Sequence, residues 1–282
     1  MLMSSRQPLI RSLVWATDID VLDPGHELTR REDHWVVRSP SNPAFWWGNL
    51  LLFDDPPRPG DGERWELLFA DAFAADPQVS HRTFAWDTTD GSLGAAAQEL
   101  LAHGFELERQ TGLVASAATL RSHPRESRGV SVRALAAHPG GDERLWSAVL
   151  ELQRADSPDG VDADAHLEFL RRRQAGVRAL LAAGRGGWFV ALDGERVVGT
   201  LGLLVHGGRA RYQAVQTAVH ARGRGVASRL VVEAARMIAQ AHEVEHFVIA
   251  ADPDHHALGI YESLGFSALE RVCGAVRAPG AA

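Results

Sequence analysis

His220-Ala221-Arg222-Gly223-Arg224-Gly225-Val226-Ala227 lies between an expected strand, Arg209–Val219, and a helical pattern, Val226–Ala241. The helical pattern places Ala227, Leu230, Val231, Ala234, Ala235 and Ile238 at i, i+3, i+4 spacing. A helix starting here leaves its first N–H groups unbonded and carries a partial positive charge at that end. Gly223 and Gly225 remove side chains that would hold a phosphate at a distance, and small Ala227, followed by Ser228, keeps the first turn clear. Arg222, Arg224 and Arg229 add full charges, so the segment is expected to hold a pyrophosphate. A P-loop would need Gly-Lys-Ser/Thr, and a dinucleotide turn would need a glycine where Ser228 stands. Taken alone, the stretch also fits a plain strand-to-helix turn with surface arginines.

The surrounding order decides between these readings. Val130–Leu135 reads as a strand, and Glu143–Arg154 as a helix with Leu145, Val149 and Leu152 on one face. A second helix is expected over about His166–Ala183. Trp188–Leu192 and Val197–Val205 flank Asp193-Gly194-Glu195-Arg196, a hairpin pattern in which Gly194 supplies a positive φ. Arg209–Val219 is the next strand, then the helix Val226–Ala241, a buried strand Phe247–Ala251, a helix His256–Leu264, the step Gly265-Phe266 and a last strand.

With this order, the loop resembles the acetyl-CoA-binding motif of the GNAT superfamily of N-acetyltransferases, Arg/Gln-x-x-Gly-x-Gly/Ala, at Arg222, Gly225 and Ala227. The order of elements across about 130–277 looks like that fold. A second family signature, Asn-x-x-Ala-x-x-x-Tyr-x-x-x-Gly-Phe, is similar to Asp254 through Phe266, with Tyr261, Gly265 and Phe266 matching. Asp254 replaces the usual Asn, and a carboxylate accepts hydrogen bonds without donating them.

The resemblance implies an acetyl-CoA-dependent N-acetyltransferase with no metal. The pyrophosphate of coenzyme A would sit on the amides of Arg222, Gly223, Arg224, Gly225, Val226, Ala227 and Ser228. The pantetheine arm would run between splayed strands, here Arg209–Val219 and Phe247–Ala251, with Asp254 beside it. Backbone N–H groups at Thr217, Ala218 and Val219 would polarise the thioester carbonyl. Tyr261 would protonate the leaving thiolate. Arg209–Val219 carries no Glu or Asp to act as base, which leaves water, His206, Asp252 and Asp254 open. The acceptor expected is an amine of a small molecule or peptide. A non-catalytic acyl-CoA-binding regulatory module is the alternative, although it would have no need of Tyr261.

The chain also echoes itself. Leu107-Glu108-Arg109 with Gly112-Leu113-Val114 follows His103-Gly104-Phe105, just as Leu269-Glu270-Arg271 with Gly274-Ala275-Val276 follows Leu264-Gly265-Phe266. Each reads as a helix end, a glycine stop and a strand. The polar stretch Arg121–Gly129 reads as a linker, giving a division at 1–128 and 129–282. The fold class expected is α/β (α+β): two tandem GNAT-like domains, each a mixed, mostly antiparallel twisted sheet flanked by helices. In the first half Leu100 stands where Tyr261 stands in the second. Its phosphate-loop counterpart, Asp54–Gly62, holds three prolines that lack amide donors and three aspartates that repel phosphate. The first half is therefore expected to be structural or to shape the acceptor cleft.

Composition sets the remaining bounds. The 282 residues carry a net charge of −7, which argues against a general nucleic-acid binder and permits a cationic acceptor. Asp156, Asp159, Asp162 and Asp164 cluster between the first two helices of the second half, where such an acceptor would meet them. There is no membrane-length apolar run, Arg11 and Asp18 break the N-terminal apolar stretch, and the one cysteine, Cys273, forms no internal disulfide. A cytoplasmic protein is expected, with no nucleic-acid or membrane partner, and an oligomer is compatible with the sequence. His242-Glu243-Val244-Glu245-His246 fits the zinc-protease pattern, with Glu262 or Glu270 as a third ligand. That remote reading of a zinc hydrolase needs His242 and His246 on one helical face, and the helix is expected to end near Ala241.

Overall fold

The computed structural model describes residues 9–123, 127, 129–157 and 162–280. The first half runs α1 (Leu13–Asp20), β1 (Glu27–Arg30), β2 (His34–Arg38), β3 (Leu50–Phe53), α2 (Asp61–Ala72), β4 (Arg82–Trp86), α3 (Ala97–Ala102) and β5 (Glu106–Ala115). The second runs β6 (Ser131–Ala134), α4 (Glu143–Arg154), α5 (Ala163–Ala182), β7 (Gly186–Asp193), β8 (Arg196–His206), β9 (Arg209–Thr217), α6 (Val226–Ala241), β10 (His246–Ala251), α7 (Ala257–Ser263) and β11 (Ser267–Arg277). The expected elements of the second half are present, with ends shifted by a few residues. α5 starts earlier than its apolar pattern because the Asp162 carboxylate accepts from the amides of Asp164 and Ala165, at 3.0 and 2.7 Å.

All the strands join in one 11-stranded sheet of order β1-β2-β3-β4-β11-β5-β10-β9-β8-β7-β6. The last strand of each half lies inside the other half's sheet. β11 separates β4 from β5, and β5 separates β11 from β10. Across the division expected at 128/129, the two parts of the chain are laced together in one sheet. The two exchanged strands are the two copies of the sequence echo. They pair antiparallel with Glu108 opposite Gly274 and Glu270 opposite Gly112, so each copy's glutamate faces the other copy's glycine. The approach to each strand is also repeated. The Phe105 amide donates to the Leu100 carbonyl at 3.0 Å and the Phe266 amide to the Tyr261 carbonyl at 3.2 Å, across Gly104 (φ 77°) and Gly265 (φ 96°).

Period-two alternation decides which helix covers which face. Phe189, Leu201, Leu203 and Tyr212 bury against Leu230, Val231, Ala234 and Ile238 of α6. Trp188 and Val190 bury against Trp146 and Val149 of α4 and Val177 of α5. The first half packs α2 and α3 through aromatic residues, with Phe53 and Trp65 stacked at 3.8 Å. α1 ties the halves: Asp18 accepts from Arg211 at 2.7 Å, Asp20 from Arg209 at 2.5 Å, and buried Glu270 accepts the amides of Leu13 (3.1 Å) and Val14 (2.7 Å) and the Ser12 hydroxyl (2.9 Å). Among the described residues no helix is long and apolar enough to cross a membrane.

Candidate functional site

β9 and β10 pair in parallel only where His246–Val248 meet Arg209–Arg211, although both strands continue. A bulge in β9 accounts for the parting. Against β8, Gln213 pairs with Gly202 and Gln216 with Thr200, so β9 spends one residue more than its partner. Ala214 carries the distortion at φ 48°, which costs a non-glycine residue about 1–2 kcal/mol. A bulge bends and twists its strand. It also leaves the β10-facing edge of β9 beyond Arg211 unpaired.

The cleft leads to the loop before α6. Gly225 (φ 75°) caps α6 and Gly223 (φ 72°) turns the chain toward it. A Cβ added at Gly223 would meet nothing within 4 Å. Among the described residues, no acceptor is bonded to the amides of Gly223, Arg224, Gly225, Val226, Ala227 or Ser228. This is a cradle of free donors at a helix N-terminus, which fits a pyrophosphate. The arginines are not free. Arg222 donates to Asp156 at 2.7 Å and to the Thr217 carbonyl at 3.2 Å, Arg224 to Asp193 at 3.3 Å, and Arg229 to the Ser127 carbonyl at 3.1 Å. The two ion pairs are half exposed and worth at most about 1 kcal/mol each, so a phosphate can draw those side chains over.

One expected role is corrected. The Ala218 amide donates to the Val198 carbonyl at 3.0 Å, continuing the β8–β9 ladder, and is not free to hold a thioester carbonyl. Thr217 ends β9, and Val219 opens a short 3₁₀ turn with its side chain 71% exposed.

Tyr261, on α7, is 7% exposed and packs edge-on against Phe266, with ring centroids 6.1 Å apart. Its hydroxyl has no hydrogen-bond partner among the described residues. Burial pushes its pKa up to about 12, so it holds its proton through the neutral range. The other tyrosine, Tyr212, spends its hydroxyl on the Val231 carbonyl at 2.9 Å. Asp254 is exposed on the turn after β10, its amide donating to the Asp252 carboxylate at 2.8 Å. His206 ends β8 opposite Arg209, where β9 and β10 are still paired, and lies 3.6 Å from Asp20, which removes it from the cleft as a base.

On the opposite face, a cavity of about 240 Å³ lies under α4 and α5, lined among others by Trp146, Asp156, Phe169, Arg173, Gln213 and Gln216. The first half reaches this region: Phe45 lies 5.9 Å from Phe169, and the Asn42 side-chain amide donates to the Phe169 carbonyl at 3.1 Å. Of the aspartate cluster, Asp156 lines the cavity and holds Arg222, Asp162 is the cap of α5, Asp164 is exposed in the first turn, and Asp159 lies outside the described residues. Arg173, Gln213 and Gln216 escaped the sequence reading. The two glutamines come to one face only because of the bulge, and Ala214 gives no sign of one.

α6 ends at Ala241, His242 is extended, and His246 opens β10, so the two histidines do not share a helical face. Glu270 is committed to α1.

Comparison with known proteins agrees with this architecture. Residues 184–268 match the acetyltransferase (GNAT) domain family model. A GCN5-related N-acetyltransferase from Kribbella flavida superposes with a TM-score of 0.64 at 16% identity, covering 96% of both chains. A conserved protein of unknown function from Staphylococcus epidermidis reaches 0.68 at 13% identity, covering 92% of this chain and 96% of that one. A tandem GNAT protein from the clavulanic acid biosynthesis pathway reaches 0.54 at 18% identity, over 100% of this chain and 93% of that one. No curated protein sequence matches. Residues 184–268 are thus similar to a GNAT acetyltransferase domain, and the chain as a whole has the α/β fold of tandem GNAT proteins.

Proposed function

We propose that the second half binds acetyl-CoA and catalyses transfer of its acyl group to an amine, as a cytoplasmic enzyme without a metal. The observation that carries this reading is the parting of β9 and β10 next to the head of α6, where six amides have no bonded acceptor among the described residues, together with Tyr261 on α7, whose hydroxyl has no partner among them. Acetyl-CoA would bring the acyl group as an activated thioester. The amides from Gly223 to Ser228, with Arg222 and Arg224 recruited from their carboxylates, would hold the pyrophosphate. The unpaired edge of β9 would donate to the thioester carbonyl, with Thr217 and Val219 at its end. Asp254 would lie beside the pantetheine arm. Tyr261 would hold the proton the sulfur takes up on leaving. Asp252, Asp254 and water remain as routes for the amine's proton.

Calorimetric titration of coenzyme A into the full chain tests the site. Gly225→Glu puts a carboxylate against the pyrophosphate and a side chain at a left-handed position, and affinity should fall on the order of 100-fold. Unchanged affinity in a folded variant would remove the loop assignment. Tight binding without thiol release on any amine would leave an acyl-CoA-binding module.

A further inference from the structure

The cavity under α4 and α5 has two polar ends of opposite character. At one, Arg173 projects from α5 and lies over the Phe45 ring of the first half, 4.3 Å from its centroid. Its hydrogen bond runs from Nη2 to Gln213 Oε1 at 3.3 Å. No carboxylate among the described residues pairs with it, whereas on the same helix Arg172 pairs with Glu168 at 2.8 Å and Arg178 with Glu143 at 2.6 Å. The acidic groups it senses, Asp18 and Asp23, act only at a distance, and Asp18 is already held by Arg211. A guanidinium has five N–H donors, and most of these remain open on the cavity side. Burial lowers its pKa from the ordinary arginine value, and a guanidinium in a protein keeps its proton. A partly desolvated cation of this kind is a strong receptor for an anion.

At the other end, Gln216 donates through Nε2 to Asp156 at 3.4 Å, while its Oε1 is buried and without a hydrogen-bond partner. That oxygen and the Asp156 carboxylate are both acceptors, suited to an N–H donor. Asp156 also pairs with Arg222, so this end of the cavity adjoins the loop before α6. Gln213 and Gln216 lie on one face of β9, on the order of 10 Å apart along the strand, because the bulge adds a residue between them. The volume, about 240 Å³, suits a small molecule.

We infer that the acceptor is a small amine that also bears a carboxylate, its amine at Gln216 and Asp156 and its carboxylate on Arg173, which lies over Phe45 of the first half. This rests on the acyltransferase reading and narrows its acceptor from amines in general, including the cationic ones the acidic cluster favours, to amino acids whose two groups lie several bonds apart.

The test uses the full chain, acetyl-CoA and ω-amino acids of increasing length, each beside its carboxamide, with diamines as the cationic arm and thiol release as the signal. At the best length, the acid should exceed its carboxamide about 10–100-fold in kcat/KM, the difference carried by KM. Arg173→Gln should reduce that ratio to near one. Arg173→Lys, which keeps charge but not the planar fork, should retain part of it. Coenzyme A titration checks that each variant is folded. Equal use of acid and carboxamide, preference for diamines, a ratio that survives Arg173→Gln, or no turnover of any acid while coenzyme A binds would each overturn the inference. Failure of the wild-type chain to bind coenzyme A would instead overturn the acyltransferase reading, and this inference with it.

Discussion

β3–β4 and β9–β10 are the same strand pair in the two halves, each parallel and each feeding a helix, and they differ in whether the pair is zipped. β3 and β4 stay paired to the end, Phe53 against Trp86, and the Asp87 amide still donates to the Phe53 carbonyl at 2.8 Å. β9 and β10 part after Val248. The loops differ in the same sense. Before α2, the Arg58 amide donates to Asp61 at 2.8 Å and the Gly60 amide to Glu99 at 2.9 Å. The chain's own carboxylates occupy the donors that the second half leaves free. One topology therefore yields either a row of free donors or a sealed corner. The choice rests on three prolines, a few carboxylates and one bulge, not on the arrangement of elements.

The sharpest way to break the comparison is at the two residues that precede the glycine steps, Tyr261 and Leu100. Leu100 is fully buried and only packs, whereas Tyr261 adds a hydroxyl without a partner among the described residues. Tyr261→Phe should keep fold and coenzyme A affinity and lower kcat by roughly 10²–10⁴-fold where chemistry limits turnover. Because burial pushes this phenol up to about 12, it stays protonated well above neutrality, and its own ionisation should give no loss of rate below about pH 10. A Phe variant with full kcat would reduce Tyr261 to the packing role of Leu100.

A second large effect tests the lacing of the halves. Glu270 is 7% exposed, accepts two amides of α1 and the Ser12 hydroxyl, and is a carboxylate at a helix N-terminus. Glu270→Ala leaves those donors buried and unbonded and should cost roughly 2–4 kcal/mol in denaturant unfolding. A loss below about 0.5 kcal/mol would mean that α1 does not depend on this strand.

Much of this was legible in the sequence, and what was not has physical causes. The i, i+4 pattern of Val226–Ala241 and the glycines of the loop are local signals, and α6 spans that range. The Gly-Phe echo marked both exchanged strands. It did not reveal their exchange, because alternation tells a strand which face it buries but not which neighbour it takes. The bulge at Ala214 was hidden because alanine is not a residue that marks a left-handed backbone. With it went the shared face of Gln213 and Gln216 and the part of Arg173. The free amide expected at Ala218 failed because the ladder with β8 runs one residue past β9.

A smaller effect probes the sealed corner. Glu99→Gln weakens the carboxylate contact to the Gly60 amide without restoring donors at Pro56, Pro57 and Pro59 or opening β3–β4. Coenzyme A stoichiometry should stay at one per chain, and stability should change by no more than about 1 kcal/mol at this exposed site. A second equivalent of coenzyme A, in this variant or the wild type, would show the first half to be competent after all.

The smallest effect lies at the centre of the sheet, where the echo is most exact in register and most unequal in chemistry. Glu270 faces Gly112 and is wrapped in donors, whereas Glu108 faces Gly274 and finds none among the described residues. Burial raises the Glu108 pKa, with Glu106 and Asp252 adding like charge. A carboxyl raised in the folded state takes up its proton there before it does in the unfolded chain. Its penalty is therefore fully present above the folded pKa and fades as pH falls through that value toward the unfolded one. Glu108→Gln should raise Tm slightly at pH 7, by about 1 °C, and by less at pH 4, when the wild-type group is itself protonated. Glu270→Gln should lower Tm at pH 7, because an amide accepts less strongly than the carboxylate at the head of α1. If Glu108→Gln instead lowers Tm at neutral pH, the charge at 108 is holding something in place, and the two glutamates are closer in role than their contacts indicate.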